Sequence, residues 1–147
     1  YVAAVTQPWL GEILLAGYGL GATRNGQPLS LDGRPRLQVM LTELAAHEAW
    51  PGMARLFRRA AAQHVTLRVM GSGTLTLAGI AAGWGQAAVI HAFCPIDHLA
   101  ALLLVREAGG VVWDEQGHDV LFPAPGTGIL AAHPQVAEQA FDLWRRS

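Results

Sequence analysis

One apolar run, placed between an aspartate and a pair of glycines, limits what this chain can fold into. Asp97 stands two residues after Pro95, and residues 99–108 are apolar except for two adjacent charged side chains, before the chain reaches Gly109 and Gly110. Proline near the start and glycine after the end are typical helix boundaries, so the run predicts a helix of about three turns. Because it lacks a polar stripe, we expect this helix to be buried. Taken alone, Asp97 is explained as its N-terminal cap.

The residues around this helix alternate between predicted strands and helices. Strand, helix, strand and helix are predicted over residues 65–70, 72–82, 87–93 and 97–108. This alternation predicts an α/β sheet with helices on its faces, and ligands bind such sheets beyond the carboxyl ends of the strands. Ser72 follows the first of these strands, and Asp97 follows the second.

The remaining segments predict a small antiparallel unit and two further helices. Short extended segments separated by Gly and Pro fill residues 1–36, where Asn25-Gly26 predicts a tight hairpin. Residues 37–147 form the predicted α/β domain, with helices over residues 51–63 and 135–145.

Three blocks of the sequence resemble signatures of one known family. Residues 97–110 read D-x-x-A-x-x-L-L-x-x-E-A-G-G, residues 68–75 (R-V-M-G-S-G-T-L) are similar to R-x-x-G-S-A-A-L, and residues 21–29 are similar to G-A-F-x-N-G-x-x-L. These are signatures of the inositol monophosphatase family. The blocks stand in the family's order and spacing, and they cover nearly the whole chain.

The resemblance implies both a fold and a chemistry. The implied fold is the C-terminal half of a layered α-β-α-β-α structure, with a mixed sheet, flanking helices and an N-terminal antiparallel hairpin unit. The implied activity is Mg²⁺-dependent hydrolysis of a small phosphate monoester, in which Asp97 is a catalytic metal ligand. Magnesium prefers oxygen ligands of this kind. Ile96 replaces the family's usual tryptophan, which changes the packing beside the carboxylate and leaves the carboxylate itself intact.

The resemblance also implies that Gly71, Ser72 and Gly73 line the substrate pocket. A glycine-rich turn that opens a helix presents backbone N–H groups, which attract anions. The alternative is a plain serine cap with glycines that allow the turn, and both can hold together. Ile90 falls, by ungapped counting, where inositol-selective members carry a glutamate that contacts a substrate hydroxyl. Isoleucine cannot accept that hydrogen bond, so inositol phosphate becomes a less favoured substrate.

A zinc site is an alternative use of the same neighbourhood. His91, Cys94, Asp97 and His98 are all possible ligands, although adjacent Asp and His side chains at a helix start point in different directions. We favour His98 as a neighbour of the pocket and Cys94 as a buried apolar residue. Glu107, ten residues beyond Asp97 on the helix, is expected to be structural.

Two segments of the family's metal site do not occur in these residues. Neither a Gly-Glu-Glu segment nor an Asp-Pro-x-Asp-Gly-Thr segment is present, so the chain carries one metal carboxylate of several and is expected to be inactive alone. It begins at Tyr1 within a predicted strand, which suggests a piece of a longer protein. The exposed sheet edge then predicts a homodimer or a bound N-terminal half as partner. The alternative function is a noncatalytic interaction or oligomerisation domain.

Charge and cysteine content limit the classes of binding partner and the cellular compartment that we expect for this chain. The net charge is −1 without a basic block, which argues against a nucleic-acid surface or an anionic membrane patch. Glycines divide the uncharged segment between Arg68 and Asp97, so we do not expect it to span a membrane. The single cysteine, Cys94, fits a reducing compartment, and we expect a cytoplasmic protein.

Overall fold

A computed structural model describes residues 1–43 and 50–145. Its helices and strands form two sheets with helices packed against them, which confirms the predicted α/β class, the mixed sheet and the N-terminal antiparallel unit. The strands are β1 (Val2–Gln7), β2 (Glu12–Gly17), β3 (Gly21–Arg24), β4 (Gln27–Leu29), β5 (Val39–Thr42), β6 (Thr66–Val69), β7 (Ala87–Ile90), β8 (Val111–Trp113) and β9 (Ile129–Ala132). The helices are α1 (Trp50–Ala62), α2 (Gly73–Ala81), α3 (Pro95–Glu107) and α4 (Ala137–Arg145).

The first four strands form an antiparallel sheet in sequential order. Asn25 and Gly26 connect β3 to β4 with φ values of 49° and 80°, the left-handed conformation that a two-residue hairpin turn requires. The predicted Asn-Gly hairpin is therefore confirmed. Burial alternates along β1 and β2, so that Ala3 and Leu14 face the core while Ile13 and Leu15 lie on an exposed outer face.

The second sheet has the strand order β6-β5-β7-β9-β8. Strand β5 runs parallel to both β6 and β7, whereas β9 runs antiparallel to β7 and β8. Because three neighbouring strands are parallel, the residues that follow β5, β6 and β7 meet at one edge of the sheet.

Helices α2 and α3 lie between the two sheets, and α1 and α4 cover the other face of the second sheet. The larger core joins Leu14 of the small sheet to Leu41 of the second sheet through Ile80 and Leu104 of the two helices. A smaller core joins the opposite face of the second sheet to α1 and α4. Residues on both sides of position 36 thus pack in one core. The proposed domain boundary between residues 36 and 37 stays a prediction.

Helix α3 is only partly buried, which corrects the prediction made for it. Ala101, Leu102, Leu104 and Val105 are buried, whereas Leu99 is 38% exposed and lines an open cavity beside Tyr1 and Val2. Within residues 1–43 and 50–145, no helix has both the length and the apolar character needed to cross a bilayer.

The carboxylate of Glu107 ties the end of α3 to the small sheet. Its two oxygens accept hydrogen bonds from the backbone N–H groups of Gly19 (3.0 Å) and Gly21 (2.9 Å), in the turn between β2 and β3. The structural role predicted for Glu107 is therefore confirmed.

Candidate functional site

The site lies at the edge of the second sheet where β5, β6 and β7 end. Glu43 follows β5, Gly71 and Ser72 follow β6, and His91 follows β7. Helices α2 and α3 begin at the same edge, so their first turns point toward it. Parallel strands followed by helix N-termini are the usual setting for ligand sites in such sheets.

Asp97 lies in the first turn of α3 with an exposed side chain. It is not the cap, because Cys94 holds that position and makes no side-chain cap hydrogen bond. The positive end of the helix dipole favours a carboxylate here. The backbone carbonyl of Asp97 accepts a hydrogen bond from the Thr74 hydroxyl, which fastens the start of α3 to the start of α2.

The turn before α2 serves as a cap and exposes a glycine. Gly71 has a φ of 71°, and Ser72 is the N-cap, with its Oγ accepting a hydrogen bond from the Leu75 N–H at 3.3 Å. The capping interpretation of Ser72 is thus confirmed. The first backbone N–H groups of any helix lack intrahelical partners, so the capped turn still has donors for an anion. Contact of Gly71, Ser72 and Gly73 with a substrate stays a prediction.

Gly73 is a point of close approach between α2 and α3. A Cβ atom at this position would lie 2.0 Å from His98 Nε2 and 2.7 Å from Glu43 Oε2, far inside van der Waals contact. The family signature has alanine at this position and again at the position of Thr74. In this chain glycine makes room for a histidine ring, and threonine supplies the hydrogen bond to α3.

Glu43 is a buried carboxylate that the sequence analysis missed. It is 7% exposed, and its Oε1 lies 3.9 Å from His98 Nε2. Burial raises the pKa of Glu43, and the negative charge of Asp97 raises it further. The only sequence signal was an acidic residue placed directly after a buried strand.

His98 is buried beneath the same turn. It is 3% exposed, and its Nδ1 accepts a hydrogen bond from the Cys94 N–H at 2.9 Å. In the neutral ring the proton therefore sits on Nε2, the atom that faces Glu43. Burial lowers the pKa of His98, and the charge of Asp97 opposes part of that shift.

The zinc alternative is not supported. Across residues 1–43 and 50–145, no group of three or more His, Cys, Asp or Glu side chains could hold a metal ion. His91 contacts the sulfur of Met53 instead, His98 faces Glu43, and Cys94 is half-buried. Asp97 is therefore available as one oxygen ligand and does not form a complete site with these neighbours.

Ile90 lies in the core, with its side chain fully buried. Its proposed place in the substrate pocket rests on the ungapped counting and stays a prediction.

Comparison with known proteins gives one consistent family. The chain matches the Inositol monophosphatase family over residues 1–146. It is 29% identical over 118 residues to a fructose-1,6-bisphosphatase/inositol-1-monophosphatase of Thermotoga maritima, covering 80% of this chain and 45% of that protein. It is 36% identical over 106 residues to human inositol monophosphatase 2, covering 67% and 36% of the two chains. A Nus factor SuhB of Pseudomonas aeruginosa is 32% identical over 126 residues, covering 81% and 46%.

Solved structures agree with this comparison. The extragenic suppressor protein suhB from Bartonella henselae superimposes with a TM-score of 0.88 at 25% identity, covering 99% of this chain and 57% of that one. An inositol monophosphatase from Anabaena gives a TM-score of 0.81 at 25% identity, with 97% and 57% covered. The chain spans about half the length of the relatives it matches.

Replacing Gly73 with alanine tests the close approach of the two helices. We expect Gly73→Ala to lower the free energy of unfolding by about 1–3 kcal/mol, because the added methyl group must displace His98 or Glu43. The double substitution Gly73→Ala/His98→Ala should be less destabilised than the sum of the two single changes. Urea unfolding followed by circular dichroism measures all three. Gly52→Ala on α1 is the matched control, because a Cβ atom there meets only an ordinary contact at 3.8 Å. Equal stability of Gly73→Ala and wild type would contradict the geometry.

The raised pKa of Glu43 predicts a pH-dependent stability. The folded state binds the proton of Glu43 more tightly than the unfolded chain, so stability falls as pH rises from the ordinary value of 4.5 through the folded-state pKa. Glu43→Gln cannot ionise and does not lose this stability. Its stability relative to wild type should therefore increase with pH over that window and then become constant. Urea unfolding between about pH 4 and about pH 8 measures the difference, with the exposed Asp32→Asn as control. A difference that is constant throughout would count against the burial of the Glu43 carboxylate.

Proposed function

Because this chain belongs to the inositol monophosphatase family, we propose that it is part of a Mg²⁺-dependent phosphomonoesterase that hydrolyses a small phosphorylated metabolite. The match over residues 1–146 supports this proposal, as do relatives whose names describe phosphatases. Because the chain spans about half the length of those relatives, the activity proposed is that of a whole protein and not of these residues alone.

The observation that carries the proposal is the exposed carboxylate of Asp97 beside the Ser72 turn. The Thr74 hydroxyl holds the two helix starts together, so an anion at the α2 terminus and a cation at Asp97 would be neighbours. When bound, Mg²⁺ supplies an activated water and neutralises charge on the phosphoryl oxygens. Asp97 would contribute one hard oxygen ligand to it.

The residues that the structure describes do not complete such a metal site. No three of their His, Cys, Asp or Glu side chains converge, and a single carboxylate does not hold Mg²⁺ firmly. The family resemblance assigns the other ligands to two segments that these 147 residues lack. What this chain contributes is therefore binding and orientation. Asp97 offers a ligand, and the first N–H groups of α2 offer donors to phosphate oxygens.

We expect the 147-residue chain to release no phosphate from monoesters, with or without Mg²⁺. In a longer protein that carries the Gly-Glu-Glu and Asp-Pro-x-Asp-Gly-Thr segments, Asp97→Asn should lower Mg²⁺-dependent phosphate release by at least about 100-fold, because the amide is a neutral, weaker ligand. A colorimetric phosphate assay measures both, with Asp32→Asn as control. Release by the chain alone would contradict its predicted inactivity. Full activity of Asp97→Asn would contradict the ligand role.

A noncatalytic interaction domain is the second candidate. The observation that favours it is the outer face of the small sheet, where Val2 is 87% exposed and Ile13 and Leu15 are each about half exposed. Strand β1 is also an edge strand. Such surfaces mark interaction sites. We propose that the partner is a second copy of this chain or an N-terminal half, and that the protein is cytoplasmic. One relative is named a Nus factor.

Self-association tests the interaction proposed for the outer face of the small sheet. If the outer face binds a second copy, sedimentation should show a concentration-dependent dimer, and Leu15→Lys should weaken association by at least about tenfold, because a charge then enters an apolar interface. Phe57→Lys, at a 40% exposed position on α1, is the control and should have no effect. A wild-type chain that stays monomeric with no bound peptide would count against this candidate.

A further inference from the structure

A cavity of about 390 Å³ lies at the edge of the second sheet opposite to the candidate functional site. Strands β5 and β7 begin at this edge, and β9 ends there because it runs antiparallel to β7. Each of these strands has four residues, so about 13 Å of strand separates the two edges. The cavity wall consists of the loop between β4 and β5, the turn after α2, and His133 after β9. The cavity is therefore separate from the Ser72 turn and from Asp97.

His133 contributes a buried hydrogen-bond donor to the wall of this cavity. The residue is 6% exposed, and its Nδ1 accepts a hydrogen bond from the Gln135 N–H at 3.2 Å. The proton of the neutral ring therefore sits on Nε2. Within residues 1–43 and 50–145, no group accepts a hydrogen bond from this Nε2. Because an unsatisfied buried donor is costly, an acceptor beside the ring would be stabilised.

Arg34 supplies a positive charge to the same cavity. It is exposed, and no carboxylate in the described part of the chain forms an ion pair with it. Asp32 also lines the cavity and forms no ion pair with Arg34. With one arginine, one aspartate and a neutral histidine, the wall carries no net charge. A singly charged anion is therefore accommodated more easily than a phosphate with two charges.

The loop between β4 and β5 is held in place on both sides of the cavity. The Leu31 N–H donates to the carbonyl of Ala108 at 2.7 Å, just beyond the end of α3. The side-chain oxygen of Gln86 accepts hydrogen bonds from the N–H groups of Gln38 and Val39, at 3.0 and 2.9 Å. Because this oxygen is engaged, the Gln86 side chain offers its NH₂ group as a further donor. Little backbone ordering is needed when a ligand binds to a wall held in this way.

The rest of the wall is small and apolar. Leu31 and Pro35 are half-buried, and Gly83 and Gly85 present no side chains to the cavity. A cation and neutral donors beside an apolar surface suit a carboxylate on a short hydrocarbon chain. A neutral polyol would leave the charge of Arg34 without a partner.

We propose that this cavity binds a small aliphatic carboxylate. Its oxygens accept hydrogen bonds from His133 Nε2 and from the guanidinium of Arg34, and its hydrocarbon chain lies against Leu31 and Pro35. Hydrogen bonds between charged groups are about twice as strong as neutral ones, so the ionised acid is the ligand and not its amide. The inference goes beyond the proposed phosphatase function and does not rest on it.

The test measures binding of butyrate, butyramide, glycerol and inorganic phosphate to the 147-residue chain at constant ionic strength. Calorimetry gives the affinities, and the NMR signals of the His133 ring report the place of binding. Butyrate should bind saturably, shift the His133 signals, and bind at least about tenfold more tightly than the other three. Arg34→Gln should weaken butyrate binding by about tenfold. Arg36→Gln is the matched control, because it makes the same change of charge at an exposed arginine outside the cavity, and it should change nothing.

Two further variants test the wall. Asp32→Asn removes a negative charge and should leave butyrate binding unchanged or make it tighter. His133→Phe removes the Nε2–H donor and should weaken binding. This variant also loses the acceptor of the Gln135 N–H, so circular dichroism checks its fold, and Arg34→Gln carries the test where it does not fold.

The outcomes are independent of the phosphatase proposal, because Asp97→Asn should bind butyrate as the wild type does. Equal affinity for butyramide and butyrate, or unchanged butyrate binding in Arg34→Gln, would overturn the inference. So would tighter binding of phosphate or glycerol, weaker butyrate binding in Asp32→Asn, or no saturable binding of butyrate.

Discussion

The arrangement of the site depends on how closely α2 and α3 approach each other at their first turns. Gly73 has no side chain, and the ring of His98 occupies the space that one would need. The hydroxyl of Thr74 then joins α2 to the carbonyl of Asp97. A larger residue at position 73 would push the Ser72 turn away from Asp97, because buried rings and backbone do not compress. The distance between the Ser72 turn and the Asp97 carboxylate is therefore set by one missing Cβ atom.

Helix α3 connects the site to the small antiparallel sheet. Its first turn carries Asp97, and its last residue, Glu107, binds the backbone N–H groups of Gly19 and Gly21 at the far end of the small sheet. The opposite end of that sheet is the turn that carries Trp9, since Val2 pairs with Gly17 and Gln7 pairs with Glu12. A single helix thus positions both the Asp97 carboxylate and the small sheet that carries the Trp9 turn.

Local patterns in the sequence were sufficient to predict helices, strands and turns. They were insufficient to predict the contacts between these elements. The Asn25-Gly26 turn and the boundaries of α3 were predictable because backbone conformation there depends on the residues themselves. Glu43 was missed because one acid after a strand has no periodic signal, and its burial arises from elements far along the chain. Leu99 was expected inside because hydropathy along a helix shows which residues are apolar and does not show what covers them.

The charged groups of the site differ in exposure and in pKa. Asp97 is exposed, whereas Glu43 is buried and has a raised pKa, so the two carboxylates do not act as an equivalent pair toward a cation. His98 has its pKa lowered and faces inward, so it does not offer a positive charge to a phosphate. The remaining groups at the site are neutral donors and apolar surfaces, and these discriminate by shape and hydrogen bonding. Cleaving a phosphate ester requires concentrated positive charge, which Glu43, Asp97 and a His98 of lowered pKa do not supply. The unequal electrostatics of the site therefore follow from which groups the fold buries.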